Sequence, residues 1–265
     1  MKTKISNQKT YSLPDRDKAG EDKLFLNYFE NENLEYVSAT KRGLNRKKLQ
    51  EQGKNPGAYG FKNEDGVYAI QTDENYYFLT IDGVGSCDGF EATQTIMEKF
   101  SEKTEDYKNF TKALEEINKQ DILQARGRLQ ACLVGVKIEK ENLSQGKFIS
   151  IGDCQSFIIQ DGKISHKNEL NAVDDPYSEA ITGAMGISEQ NFQEKISAID
   201  FIPQKQDYLV LATDGVCSTK TLKEQEIRDI IITEKNLQQA SKKIITQAES
   251  KQKGDDLGLT LVKFK

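Results

Sequence analysis

At 265 residues, with 36% hydrophobic and 30% charged side chains, the chain is long enough for one large domain or two small ones and has the apolar content for a core. A formal net charge of -5 with mixed signs argues against a nucleic-acid partner held through phosphate contacts. No apolar run approaches the roughly 18 residues that span a bilayer, so no membrane partner is expected.

The segment Met1 to Asp15 is polar and lacks the apolar core of a signal peptide. There are 4 cysteines, none in a Cys-x-x-Cys pair, which points to reduced thiols, and a cytoplasmic location is expected. Residues 1–55 carry little signal. Leu24 to Phe29 reads as a strand or a short helix. Lys41 to Lys54 holds six Lys/Arg and one Glu, which reads as a solvated loop or as a basic patch for a phosphorylated substrate. Asn55-Pro56-Gly57 is a turn signal. It marks an expected compact domain, 56–265, after an N-terminal segment, 1–55, that the sequence leaves either separate or part of the fold.

Beyond it, Val67 to Ile70 and Tyr77 to Ile81 read as strands of a hairpin, joined by Gln71 to Asn75. Glu91 to Phe100 places Ala92, Ile96 and Phe100 on one helical face. A second helix is predicted from about Asp106 to Gln124, on the spacing of Phe110, Leu114, Ile117, Ile122 and Leu123. Gln130 to Ile138 is a strand. Asp161-Gly162 is a two-residue hairpin signal between Ser156–Ile159 and Lys163–Ile164, so antiparallel pairing is expected. Leu170 to Glu179 is a polar loop, and the lone His166 has no assigned role. Two further helices, Thr221 to Thr233 and Asn236 to Gln247, precede a terminal strand, Leu257 to Phe264. The tally is an α+β fold, two antiparallel sheets flanked by helix pairs.

One pattern recurs along these strands. Tyr77 to Ile81 ends in Asp82-Gly83-Val84-Gly85. Tyr208 to Thr213 ends in Asp214-Gly215, and Phe148 to Gly152 ends in Asp153. Asp255-Asp256 stands just before the last strand, and Glu64-Asp65 just before the first of the hairpin. A carboxylate at the mouth of an apolar strand is costly unless a cation or a hydrogen-bond network offsets it. Several together read as ligands gathered at one sheet edge. Their oxygens suit hard cations, Mg2+ or Mn2+.

These residues, in this order, resemble the metal-dependent Ser/Thr phosphatases of the type 2C (PPM) family. The resemblance covers about Gly57 to Phe264. It rests on Asn63-Glu64-Asp65, Ile81-Asp82-Gly83-Val84-Gly85 and Ser150-Ile151-Gly152-Asp153. It continues in Ile181 to Gly186, Ala212-Thr213-Asp214-Gly215-Val216 and Gly254-Asp255-Asp256. It implies a four-layer α-β-β-α sandwich and hydrolysis of phosphoserine or phosphothreonine by a metal-activated water, with catalytic roles for Asp82, Asp214 and Glu64. Asp82 would bridge two ions, with the Gly83 carbonyl on one of them. Asp214 and Asp255 would hold one ion, Glu64 with Asp65 beside it the other, and Asp153 with Asp214 a third. The ligand register between Asp255 and Asp256 is open by one residue. Gly60 stands where the family often has a phosphate-gripping arginine, which leaves Lys62 as the nearest cation, and Ser86 replaces a glycine of the turn. Implied partners are a phosphorylated protein substrate and two or three Mg2+ or Mn2+ ions. The implied role is signalling, and a monomer is expected. A pseudophosphatase, the same fold used as a binding module, is the alternative. Cys87, Cys154 and Cys217 lie within five residues of these ligands, as small apolar fillers or as thiols whose oxidation tunes the site.

Overall fold

The computed structural model describes residues 9–14, 18–44, 48, 51–53, 62–85, 87–103, 110–125, 128–141, 143, 145–170, 182–187, 192–234, 236–251 and 254–265. Among these residues there are two antiparallel six-stranded sheets. In chain order the strands are β1 (Lys9–Leu13), β2 (Phe25–Glu30), β3 (Leu34–Lys41), β4 (Asp65–Gln71), β5 (Asn75–Gly83), β6 (Ala131–Glu139), β7 (Gly146–Ile151), β8 (Gln155–Gln160), β9 (Lys163–Lys167), β10 (Ser197–Phe201), β11 (Tyr208–Ala212) and β12 (Leu257–Phe264). The first sheet runs β1-β4-β5-β6-β7-β10 and the second β2-β3-β12-β11-β8-β9. The strands that precede residue 55 thus lie in both sheets, and β3 pairs with β12 from Leu34↔Phe264 to Lys41↔Leu257.

Alternation along each strand sorts its side chains into layers. On β5, Tyr77, Leu79 and Ile81 face outward. They meet Ile96 and Phe100 of α1 (Gly89–Lys103) and Phe110, Leu114 and Ile117 of α2 (Phe110–Ile117). Tyr76 and Phe78 face inward, against Tyr36, Leu211, Val262 and Phe264 of the second sheet. The outer face of the second sheet, with Val37, Val210 and Leu261, is covered by α4 (Glu224–Glu234) and α5 (Leu237–Ser250). A short α3 (Phe192–Lys195) precedes β10. The result is the expected α-β-β-α sandwich with three apolar layers between its four layers.

Local signals account for several boundaries. Asn236 caps α5, its side chain accepting from the Gln239 N–H at 2.9 Å. Asp161 and Gly162 both take positive φ, 50° and 72°, as the tight β8–β9 hairpin requires.

One prediction needs correction. Among the described residues of the helix expected from 106 to 124, regular α-helix covers Phe110–Ile117 and does not continue to 124. A π-turn at Asn118–Ile122 and a 3-10 turn at Leu123–Ala125 follow. Asn118 is buried at this change of pitch, and its Oδ1 accepts from the Gly186 N–H at 2.7 Å. Residues 104–109, Gly60 and the loop positions 171–179 lie outside the described residues.

Candidate metal and phosphate site

The strand ends that carry Asp65, Asp82, Asp153, Asp214 and Asp255-Asp256 come together at one edge of the sandwich. Asp65 opens β4 and Asp82 lies near the end of β5, and the two are direct antiparallel partners. Directly paired residues project from the same face, and here the row continues to Cys132 on β6, the partner of Asp82 on its other side. Cys132 is packed in the layer between the sheets, so the row faces the second sheet. That sheet supplies Asp214, two residues past the end of β11, and Asp255-Asp256, just before β12. The two chain ends are clamped together. The Thr213 N–H donates to the Gly258 carbonyl at 3.0 Å, and the Gly258 N–H to Thr213 Oγ1 at 3.0 Å. Asp153 joins them from the turn between β7 and β8.

Glu64 is 1% exposed. Its carbonyl accepts from Thr93 Oγ1 at 2.7 Å and from the Gly83 N–H at 3.2 Å, which binds the end of β5 and the first turns of α1 to one oxygen. Gly83 and Gly89 cross backbone to backbone there. A Cβ on either would overlap the other's main chain, so both positions need the bare glycine. Asn63 supports the same corner. Its Oδ1 accepts from the Asp65 N–H at 3.0 Å and its amide donates to Thr40 Oγ1 at 2.7 Å.

Asp255 and Asp256 take different positions. Asp256 is 2% exposed, and its two oxygens accept from the Gly43 N–H at 2.7 Å and the Glu64 N–H at 2.8 Å. It stitches β12 to the segments that carry residues 43 and 64. Asp255 is half-buried and faces the Gly215 turn.

The electrostatics follow from this crowding. Burial, then the neighbouring Asp256, push the Asp65 carboxyl well above the ordinary carboxylate range, against a hydrogen bond from Thr213. Burial, then Asp65, Asp214, Asp153 and Asp255, push Asp82 up likewise. Asp65 Oδ2 is buried with no hydrogen-bond partner among the described residues. A buried acceptor without a donor, inside a set of like charges, fits a cation bound by oxygen.

Lys62 is exposed at the rim, its ammonium 4.2 Å from the centre of the Phe90 ring, which holds it over the start of α1. Cys132 was not a candidate from the sequence, because only strand register places it across from Asp82. Cys217 is remote in chemistry, its thiol donating to Gln155 Oε1 at 3.2 Å. His166 is exposed beside Ser165, away from the cluster.

No protein-family model matches this sequence, and no curated protein matches it either. Solved structures do match. RsbX in complex with magnesium superposes with a TM-score of 0.66 at 17% identity, covering 91% of this chain and 100% of that one. The catalytic domain of the Ser/Thr phosphatase PstP with 2 manganese ions gives 0.65 at 14% identity, covering 88% and 98%. The PPM Ser-Thr phosphatase MsPP of Mycobacterium smegmatis, in complex with cacodylate, gives 0.64 at 16%, covering 87% and 98%. The chain has the fold of the PPM-type Ser/Thr phosphatases over nearly its whole length.

Proposed function

We propose that this chain is a metal-dependent protein phosphatase acting on phosphoserine or phosphothreonine. The observation that carries the reading is the meeting of Asp65, Asp82, Asp153, Asp214 and Asp255 at one edge of this fold, with Asp65 and Asp82 raised by burial and mutual repulsion. Such a cluster is costly without cations, which speaks against a metal-free binding module.

In this reading Asp82 would be the ligand common to the ions, with the Gly83 carbonyl beside it. Asp214 and Asp255 would hold one ion, Glu64 and Asp65 would lie beside another, and Asp153 with Asp214 would hold a third. Asp256 is assigned to the scaffold instead, since its oxygens hold the Gly43 and Glu64 amides. Mg2+ or Mn2+ held there would neutralise phosphoryl oxygens and acidify a water. The chain's own residues fix the ligand spacing through the clamp between the ends of β11 and β12 and the Gly83–Gly89 crossing. Those contacts limit reorganisation during the reaction. Lys62 supplies a cation at the rim for the incoming phosphate, as a point charge without the paired donors of a guanidinium. The all-oxygen ligand set leaves no protein nucleophile to assign, consistent with direct attack by water through a loose transition state.

Partners in this reading are a phosphorylated protein and divalent cations. Among the described residues no helix is long and apolar enough to cross a membrane. A cytoplasmic location, in keeping with four free thiols, a monomeric state and a signalling role complete the proposal. The test is phosphate release from phosphoserine and phosphothreonine peptides with added Mn2+, with and without excess chelator. Release that chelator abolishes is expected. Full release in chelator, or none with any divalent ion, overturns the reading.

A further inference from the structure

One corner of the acidic cluster is not all oxygen. The ligand atoms of Asp82, Asp153 and Cys154 lie within 4.8 Å of one another. Cys154 is 0% exposed, and among the described residues no hydrogen bond engages its thiol. Its place is fixed from behind. Asn168 donates to the Cys154 carbonyl at 2.9 Å and accepts from the Ser156 N–H at 2.7 Å, which pins the start of β8. Asp65, the strand partner of Asp82, is buried beside this corner, and its charge bears on both Asp82 and Cys154. Its Oδ2, turned toward Gly258 of β12, has no partner among the described residues.

Two ligands of one tetrahedral ion lie about 3.5 Å apart, for bond lengths of about 2.0–2.3 Å. Small side-chain rotations therefore bring all three groups onto one cation. Ligand softness then sorts the cations. Carboxylates alone suit Mg2+ and Mn2+, whereas a carboxylate pair joined by a thiolate suits Zn2+ or Cd2+.

We propose that Asp82, Asp153 and Cys154 form a site for a thiophilic divalent cation, Zn2+ in the first place, and that its occupation withdraws Asp82 from the Mg2+ or Mn2+ ligand set. Binding releases the thiol proton to solvent: Cys–SH and the dication give the metal thiolate and H+, with no change of oxidation state. Occupation therefore inhibits turnover; that consequence, unlike the binding, rests on the phosphatase reading above.

The experiment titrates the metal-free full-length protein with Cd2+ and follows the ultraviolet sulfur-to-metal charge-transfer band. Zn2+ competition then measures the affinity of the physiological ion. Four variants are compared, Cys154→Ser, Cys154→Ala, Cys132→Ser and Asp153→Asn. Wild type and Cys132→Ser should show a saturable band. Both Cys154 variants should lose it, and Asp153→Asn should bind at least about tenfold more weakly. Calorimetric Mn2+ affinity in the Cys154 variants should shift by less than about twofold, as expected of a hard ion that ignores a thiol. A band that survives in Cys154→Ser, or disappears in Cys132→Ser, overturns the proposal. The band is read without substrate, so a protein that hydrolyses no phosphopeptide still tests the site.

Discussion

Asp65 and Asp82 face each other as direct partners across β4 and β5, two carboxylates side by side on the face that meets the second sheet. Like charges placed directly opposite destabilise a sheet pair. The arrangement is stable only when protons or cations share the pair, so in the metal-free protein this register is a cost to folding and in the loaded protein it is the centre of the site.

That cost predicts opposite effects of one substitution. Asp82→Asn removes a charge from the cluster and keeps the shape. The metal-free variant should be more stable than wild type, by up to about 1 kcal/mol, the upper size of a direct cross-strand pair effect. Mn2+ binding and phosphate release should be lost together. Chemical denaturation in chelator and calorimetric titration check both halves. A variant that is less stable without metal, or that keeps tight Mn2+ binding, contradicts the shared-ligand role.

The same pair sets a pH dependence. Burial, joined by neighbouring carboxylates, raises the folded-state values of Asp65 and Asp82 above those of the unfolded chain. The native metal-free protein thus holds protons more tightly than the unfolded chain. Its stabilisation from this source is complete below the unfolded value, about pH 4. It is lost as pH rises through the elevated folded values. Metal binding needs the deprotonated carboxylates, so affinity runs the other way and rises with pH. Melting at about pH 5.5 and about pH 8, both above the unfolded carboxylate value of about 4, should show a larger Mn2+-induced rise in Tm at the higher pH. The metal-free Tm of wild type should fall relative to Asp82→Asn over the same interval. Parallel curves for the two proteins would show that the pair does not titrate in this range.

Much of this was legible in the sequence because the ligands sit at strand ends. Asp82, Asp153 and Asp214 each close an apolar run, and the terminal strand matches its predicted bounds, Leu257–Phe264. What escaped notice was decided by tertiary contact. The strands β1, β3 and β10 gave no clear signal of their own. In β3, Ser38 and Thr40 break the apolar pattern, yet both are buried. Ser38 Oγ lies 3.1 Å from Thr260 Oγ1, which in turn accepts from Thr80 Oγ1 at 3.3 Å. A hydroxyl ladder between two sheets looks like a polar surface until its partners, 180 or more residues away, are in place. The division of work between Asp255 and Asp256 was hidden for the same reason, since the partners of Asp256 come from residues 43 and 64.

That division can be tested directly. Asp256→Ala leaves the buried amides of Gly43 and Glu64 without their acceptor. Hydrogen bonds to a charged group contribute about 1.5–3 kcal/mol each, so a loss of about 3 kcal/mol or more is expected even in chelator. Asp255→Ala should leave the metal-free stability unchanged or slightly raised and weaken Mn2+ binding by at least about tenfold, as for loss of a ligand. Paired denaturation and titration curves separate the two. If Asp255→Ala is the unstable one and Asp256→Ala the weak binder, the assignments are reversed.

The final prediction separates the third ion from the central pair. Asp153 stands on the β7–β8 turn, half-buried, and is one of the charges that raise Asp82. In the reading above it serves only the third ion, together with Asp214. Asp153→Ala should then keep two tightly bound Mn2+ ions in calorimetry and lose most of the phosphopeptide turnover. A purely structural Asp153 would behave otherwise. Its loss would lower stability by about 1 kcal/mol, the worth of one hydrogen-bonded polar group, and leave the rate nearly intact. The charge effect also has a sign that helps. Removing Asp153 relieves repulsion on Asp82, so the catalytic reading expects a metal-free protein at least as stable as wild type, and the structural reading a weaker one. Steady-state rates at saturating Mn2+, set beside denaturation in chelator, decide between them. An Asp153→Ala protein that turns over normally and unfolds more easily would take Asp153 out of the mechanism.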